Sequence, residues 1–393
     1  MKELLQSGRH FLQIPGPTNV PDCILRAIAC PTIDHRGPVF RKLCLEVLEG
    51  IKEIFQTKEP VIIYPASGTG AWEAALVNTL SPGDRVLMYD TGHFASTWHK
   101  LAEKLTLDAQ LIPGNWREGV KPEKIEQVLK EDKEHVIKSV CVVHNDTSTG
   151  ITSDILSIRK AIDHTKHTAL LFVDTISSLG SIEYRHDEWG VDVTVGGSQK
   201  GLMLPPGLSF NAISKKALIA TEEAKLPRSY WDWHDMLNVN KEGVFPFTPA
   251  TNLLFGLQES IKMLLEEGLD QVFSRHRRLA EATRSAVQAW GLELNAINPS
   301  EFSNSVTTVV MPQGHDADVF RKKVLDCFNV SLGNGLGRHK GMTFRIGHLG
   351  YFNEAMLLGT LGAIEMGLEL ADIPHRPEGT RQAMNTLIKK KSL

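Results

Sequence analysis

The chain has 393 residues, with 43 Lys and Arg against 46 Asp and Glu for a net charge of −3, and is 42% hydrophobic and 23% charged. At roughly 100–200 residues per domain, that is enough for two domains and a sizeable core. The balanced charge leaves no basic field to hold a polyanion, so neither nucleic acid nor a membrane surface is an expected partner, and a small molecule is favoured.

The opening stretch MKELLQSGRHFLQIPGPTN has no continuous apolar run and meets Pro15 and Pro17 early, so no secretory signal is expected. From about 60 to 215 the chain alternates short β-branched runs with amphipathic stretches, the mark of βαβ units. VIIYP (61–65) precedes a helical GAWEAALVNTL (70–80), and RVLMYD (85–90) precedes HFASTWHKLAEKL (93–105). The pattern then continues with the helix PEKIEQVLKED (122–132), SVCVVH (139–144), the helix SDILSIRKAIDHT (153–165), ALLFVD (169–174) and VDVTVGGSQK (191–200). Continuously apolar strands of this kind imply a sheet covered by helices on both faces.

After residue 250 the period turns helical, predicting a long helical hairpin, and then a small α+β unit begins. Its strands fall in SNSVTTVVMP (303–312), VSLGNG (330–335) and MTFRIGH (342–348), with helices near 316–328 and 353–370. The expected organisation is an N-terminal segment (1–20), a large α/β domain (21–270), a small C-terminal domain (271–375) and a frayed polar tail (376–393). The apolar runs are far shorter than the ~20 residues that span a bilayer. Five cysteines (Cys23, Cys30, Cys44, Cys141, Cys327) form no C-x-x-C pair and read as reduced thiols of a cytoplasmic protein. Fifteen histidines include no H-E-x-x-H and no Cys/His cluster, so no metal is expected.

Open α/β sheets hold ligands beyond the carboxyl ends of their strands, so polar residues there are read together. VIIYP runs into Ser67, Gly68 and Thr69 at the start of a helix, where N–H groups and the dipole favour a phosphate. Alone, this is equally a strand-to-helix turn capped by a hydroxyl. Asp174 ends a buried strand, where a carboxylate is costly unless a cation such as a pyridinium nitrogen meets it, or unless it caps the next turn. Lys200 stands among Gly196, Gly197 and Gly201. A desolvated amine so placed can condense with an aldehyde, which is how pyridoxal phosphate (PLP) is held, although an isolated S-Q-K reads as a surface lysine. Arg345, between apolar neighbours on a predicted strand, suits a substrate carboxylate or an internal ion pair.

Together these features resemble a class V aminotransferase of PLP fold type I, most closely the serine-glyoxylate and alanine-glyoxylate branch. The matching stretches are IPGPTNVP (14–21), PTIDHRGPVF (31–40), SGTGAWEAALVNTLSPGD (67–84), HNDTSTG (144–150), LFVDTISSLG (171–180), GSQKGLMLPPG (197–207) and FRIGHLG (344–350). The resemblance implies a seven-stranded, mostly parallel sheet between helices, with the large domain binding PLP. It implies that Lys200 carries the cofactor and Asp174 pairs with its ring nitrogen. Ile176 and Phe94 would pack on the two ring faces, Thr147 would bond near the ring hydroxyl, and Ser67, Gly68, Thr69 and Gln199 would hold the phosphate. Thr248, in GVFPFTPATN, would reach the phosphate of the partner subunit in an obligate homodimer with shared active sites, while Phe245 stands where relatives carry a phosphate-binding Tyr. Arg345, and Arg36 if the His35-Arg36 loop enters the pocket, would bind substrate.

The activity implied is transfer of an amino group from a small amino acid, serine first, to glyoxylate, giving glycine and a 2-oxo acid. Aspartate and alanine are the rival donors. A cysteine desulfurase or other PLP lyase shares the Lys and Asp framework, with Cys327 as its nearest cysteine. A non-catalytic α/β binding protein is the remaining alternative, although the G-x-G-x-x-G fingerprint is absent after the first strand.

Overall fold

The computed structural model describes residues 8–391. Along the chain, strand β1 (Phe11–Gln13) is followed by β2 (Val61–Tyr64), β3 (Arg85–Tyr89), β4 (Asp108–Ile112) and β5 (Ile137–Val143). Two short strands, β6 (Asn145–Asp146) and β7 (Ile151–Thr152), precede β8 (Leu170–Asp174), β9 (Val193–Gly197) and β10 (Ser209–Ile213). The remaining strands are β11 (Glu293–Leu294), β12 (Val306–Val310), β13 (Val330–Asn334) and β14 (Thr343–Gly347).

Seven strands form one sheet in the order β2-β10-β9-β8-β5-β3-β4. It is parallel from β9 through β4, and only β10 runs antiparallel, to both β2 and β9. Strands β2, β8, β9 and β10 are buried at every residue, as a sheet covered by helices on both faces requires. The core beside this sheet includes Trp72, Trp98, Phe172 and Phe210, with a separate apolar cluster around Leu87, Val140, Leu171 and Tyr184.

A second sheet, in the order β1-β13-β14-β12-β11, has its own core of Leu279, Trp290, Phe320, Phe344 and Leu361. The N-terminal segment joins it, because β1 pairs in parallel with β13. The expected hairpin is present as the helices Thr251–Glu267 and Leu269–Trp290, broken at Gly268 (φ 82°). The second helix serves both units, packing Val272 and Phe273 into the first core and Leu279 to Trp290 into the second.

The C-terminal stretch expected to fray is instead the helix Gly379–Lys391, packed along the helix Leu269–Trp290. It buries Ala383 and Leu387 in the second core, and Glu365 anchors its start by accepting from Thr380 N at 2.8 Å and Thr380 Oγ1 at 2.7 Å. Ser392 and Leu393, the end of that expected tail, lie outside the described residues. No helix among the described residues is long and apolar enough to cross a membrane.

Candidate active site

The carboxyl ends of β8 and β9 open on a cavity of about 230 Å3. Of the expected site residues, Ser67, Gly68, Thr69, Phe94, Thr147, Asp174, Ile176, Gln199 and Lys200 all line it.

Asp174, the last residue of β8, is buried. Its Oδ1 accepts from Ile176 N at 2.7 Å, so it does cap the following turn. Its Oδ2 accepts from Trp72 Nε1 at 3.1 Å. Burial, with a smaller push from the neighbouring Asp146, raises the carboxyl to about 7 against the pull of two hydrogen bonds and Lys200. A cation brought to Asp174 would restore its charge.

Lys200 is 8% exposed, which rules out the surface reading. Its amine donates to the Pro15 carbonyl. Desolvation, with a smaller contribution from the Arg345 charge, lowers its pKa to about 7 against the pull of Asp174 and Asp146. The amine is therefore substantially neutral, and nucleophilic, near neutral pH.

Arg345 sits in the middle of β14, 6% exposed. Its Nε donates to the Asn334 carbonyl at 2.7 Å and its Nη1 to the Thr147 carbonyl at 2.9 Å, and no carboxylate among the described residues pairs with it. A buried guanidinium held by two backbone oxygens is costly until an anion arrives. Burial lowers its pKa to about 10, so it stays cationic at neutral pH.

The far end of the cavity is set by the helix Gly68–Thr79. Ser67 stands at its N-cap position but its side chain makes no capping bond, leaving the Gly68 and Thr69 N–H groups available to an anion, while Gly70 N donates to the Ser67 carbonyl at 2.9 Å. Gly68 admits the Ile176 side chain, since a Cβ there would lie 2.2 Å from Ile176 Cδ1. Gln199 Oε1 is buried without a hydrogen-bond partner. The first-turn N–H groups, the Asp174 carboxyl and the reactive amine fit a flat aromatic aldehyde with a basic ring nitrogen and an anionic arm.

Three expected residues do not line the cavity: Arg345 stands behind Thr147, and Thr248 and Arg36 lie apart. Thr248 is exposed and does not line the cavity, while Phe245 is buried against Phe40 with ring centroids 6.3 Å apart. Arg36 is exposed on the loop before the helix Pro38–Phe55, where only its backbone is engaged, with Asp34 and Arg41. Beside it, His35 Nε2 is buried and unpartnered. Cys327 is exposed on the helix Ala317–Phe328 and does not reach the cavity.

Trp72, Val143, Asn145 and Ser177 also line the cavity, with Asp146 behind it, and none of these is among the expected residues. Trp72 lies one helical turn beyond Gly68, on the same face, which is the spacing that could have revealed it. Asn145 Nδ2 donates to Ser177 Oγ at 2.7 Å and Ser305 Oγ at 2.9 Å, tying the cavity to the second unit.

The family model described as Aminotransferase class-V matches residues 11–342. A serine–glyoxylate aminotransferase of Methylorubrum extorquens is 47% identical over 367 residues, covering 92% of this chain and 91% of the relative. An L-aspartate–glyoxylate aminotransferase of Paracoccus denitrificans is 45% identical over 369 residues, covering 94% and 93%. The crystal structure of pyridoxamine-pyruvate aminotransferase from Mesorhizobium loti superposes with a TM-score of 0.92 at 26% identity, covering 99% of this chain and 100% of that one. The cavity at the ends of β8 and β9 thus sits in a fold and a sequence shared with these enzymes over nearly the whole length, and the chain belongs to the class V aminotransferase family.

Proposed function

We propose that the chain is a PLP-dependent aminotransferase that moves an amino group from a small amino acid to glyoxylate, with serine the first choice of donor. The observation that carries this reading is a cavity lined by a depressed lysine and a raised carboxyl, with a buried guanidinium, unpaired among the described residues, held behind its wall on the Thr147 carbonyl.

When bound, PLP supplies an aldehyde for the amino group and a ring that accepts the electron pair left when the donor's Cα proton departs. Lys200 would hold the cofactor and, once released, take the Cα proton on Nζ as a general base with a pKa near working pH. Asp174, steadied by Trp72 and the Ile176 N–H, would face the ring nitrogen and keep a proton there. Phe94 and Ile176 would bracket the ring. The N–H groups at Gly68 and Thr69, with the Ser67 and Gln199 side chains, would bind the phosphate, and Thr147 would bond near the ring hydroxyl. Arg345 would grip the α-carboxylate that every donor and acceptor shares.

Thr248 and Arg36, exposed and away from the cavity of their own subunit, are the residues a homodimer would lend to the partner's site. The reduced cysteines fit a cytoplasmic setting. Aspartate is the second donor reading, because one of the two similar relatives is named for it. The test is a half-reaction screen, mixing the PLP-loaded enzyme with serine, aspartate or alanine and following loss of the cofactor's band beyond about 400 nm. A donor that leaves the band unchanged is not a substrate, and silence from all three refutes the assignment.

A further inference from the structure

The helix His93–Lys104 begins after Gly92, which has no side chain to cap it. Its cap comes from a distant turn. Ser148 Oγ accepts from His93 N at 2.9 Å, and Asp146 Oδ2 accepts from Ala95 N at 3.4 Å. Asp146 Oδ1 in turn accepts from Ser148 Oγ at 2.5 Å and from Ser148 N at 2.9 Å. Both residues are buried, and a Cβ on Gly92 would lie 2.5 Å from the Asp146 carboxylate, so only glycine admits it. The three donors and the helix N-terminus offset the cost of burying this carboxylate.

Two parts of the site meet at this cap. Phe94, the second residue of the capped turn, lines the cavity. Thr147, between the two capping residues, also lines it and receives Arg345 on its carbonyl at 2.9 Å.

We propose that Asp146 and Ser148 are positioning residues that lock the Phe94 wall of the cavity and the Arg345 carboxylate fork into one frame through Thr147. The proposal rests on the reading of Phe94 as a cofactor contact and of Arg345 as a substrate contact. It makes cofactor hold and substrate affinity depend on residues that touch neither ligand directly.

The test uses Ser148→Ala, which removes the acceptor for His93 N–H, and the near-isosteric Asp146→Asn, which puts an amide where two acceptor oxygens are needed. Hydrogen exchange on the cofactor-free protein reads the cap itself, and amides at 93–96 should exchange roughly fivefold faster in each variant. In the PLP-loaded enzyme, the dissociation constant for PLP and the KM for both donor and acceptor should each rise roughly fivefold, with an altered visible circular dichroism of the bound cofactor. Unchanged exchange in both variants overturns the cap. Faster exchange with unchanged PLP affinity, dichroism and KM overturns the coupling, provided Phe94→Ala alters PLP affinity and dichroism. If Phe94→Ala is silent as well, the reading of the cavity falls and the proposal with it.

Discussion

The Lys200 amine donates to the carbonyl of Pro15, a contact that spans 185 positions of the sequence. The N-terminal segment lies directly against the lysine loop, with Thr18 N donating to the Gln199 carbonyl at 3.1 Å and Thr18 Oγ1 to the Lys200 carbonyl at 3.2 Å. Gly16 makes this approach possible. Its φ is 97°, and a Cβ there would sit 2.2 Å from Lys200 Cδ. Gly16→Ala should displace the amine and slow covalent uptake of PLP by roughly tenfold to hundredfold, the range expected for a misplacement near 1 Å. Stopped-flow absorbance on mixing PLP with cofactor-free protein checks it, and a rate equal to that of the parent would show that the segment does not shape the lysine.

Covalent uptake should also depend on pH in a stated direction. The neutral amine is the nucleophile, and burial together with the Arg345 charge brings the Lys200 pKa to about 7. The uptake rate therefore rises with pH through about 7 and levels above it. Arg345→Ala removes a positive charge that depresses the amine, so its midpoint should move upward. Lys200→Ala should bind PLP weakly without covalent attachment. Borohydride reduction of the parent should label the peptide containing Lys200, and a label on another lysine would move the site.

Asp174 carries a stability signature as well as a catalytic one. Its folded pKa, raised to about 7 by burial, lies above an unfolded value of about 3.9. The stabilisation that this carboxyl contributes in the cofactor-free protein is fully present below about pH 4 and is lost as the pH rises to about 7. Asp174→Asn removes that slope, so the variant should gain stability relative to the parent between pH 4 and 7, by urea unfolding of cofactor-free protein. In the loaded enzyme the same variant should slow Cα deprotonation, roughly a hundredfold or more, while leaving donor binding within about a factor of ten. Single-turnover kinetics separate the two, and an unchanged deprotonation rate would leave Asp174 as a turn cap alone.

The three ionisable residues at the centre were legible because each breaks an apolar pattern where burial makes charge expensive. Asp174 ends LLFVD, Lys200 follows VTVGG, and Arg345 stands between Phe344 and Ile346. Trp72 was not legible, because in GAWEAALVNT it reads as one more apolar helix residue and its N–H finds Asp174 only through tertiary packing. Asp146 follows a strand as an ordinary turn residue would, and its link to the helix His93–Lys104 is non-local. β1 has three residues and pairs with β13, distant in sequence, while β10 bridges its sequence neighbour β9 to the distant β2. The C-terminal helix reads as a tail in sequence because its stretch is mostly polar and only a few apolar side chains, Ala383 and Leu387 among them, anchor it in the core.

Arg345 should act alike on every substrate. Its planar fork meets a carboxylate common to donor and acceptor, and a charged hydrogen bond of this kind contributes about 1.5–3 kcal/mol. Arg345→Ala should therefore raise KM for all of them by roughly tenfold to hundredfold, and Arg345→Lys should recover part of that loss, since an ammonium restores charge but not the two parallel bonds. Steady-state kinetics with each donor and with glyoxylate checks it. A defect confined to one substrate would place Arg345 on a side chain rather than on the shared carboxylate.

The choice between serine and aspartate turns on Arg36. Its side chain is exposed, makes no ion pair among the described residues, and does not line the cavity of its own subunit. In the proposed homodimer, an Arg36 that selects a β-carboxylate would do so across the interface. A guanidinium buried there without a partner is costly, so an Arg36 that enters the neighbouring site should favour aspartate over serine, and Arg36→Ala should erase that preference. Mixed dimers decide the geometry. One subunit carries Arg36→Ala and the other Lys200→Ala, so only the site with intact Lys200 turns over. Action across the interface gives that site a native Arg36 and keeps aspartate turnover near half that of the parent dimer. Action within one subunit leaves the working site without Arg36 and removes the aspartate preference. Serine dominance in the parent, unaffected by Arg36→Ala, would return Arg36 to loop packing and settle the donor as serine.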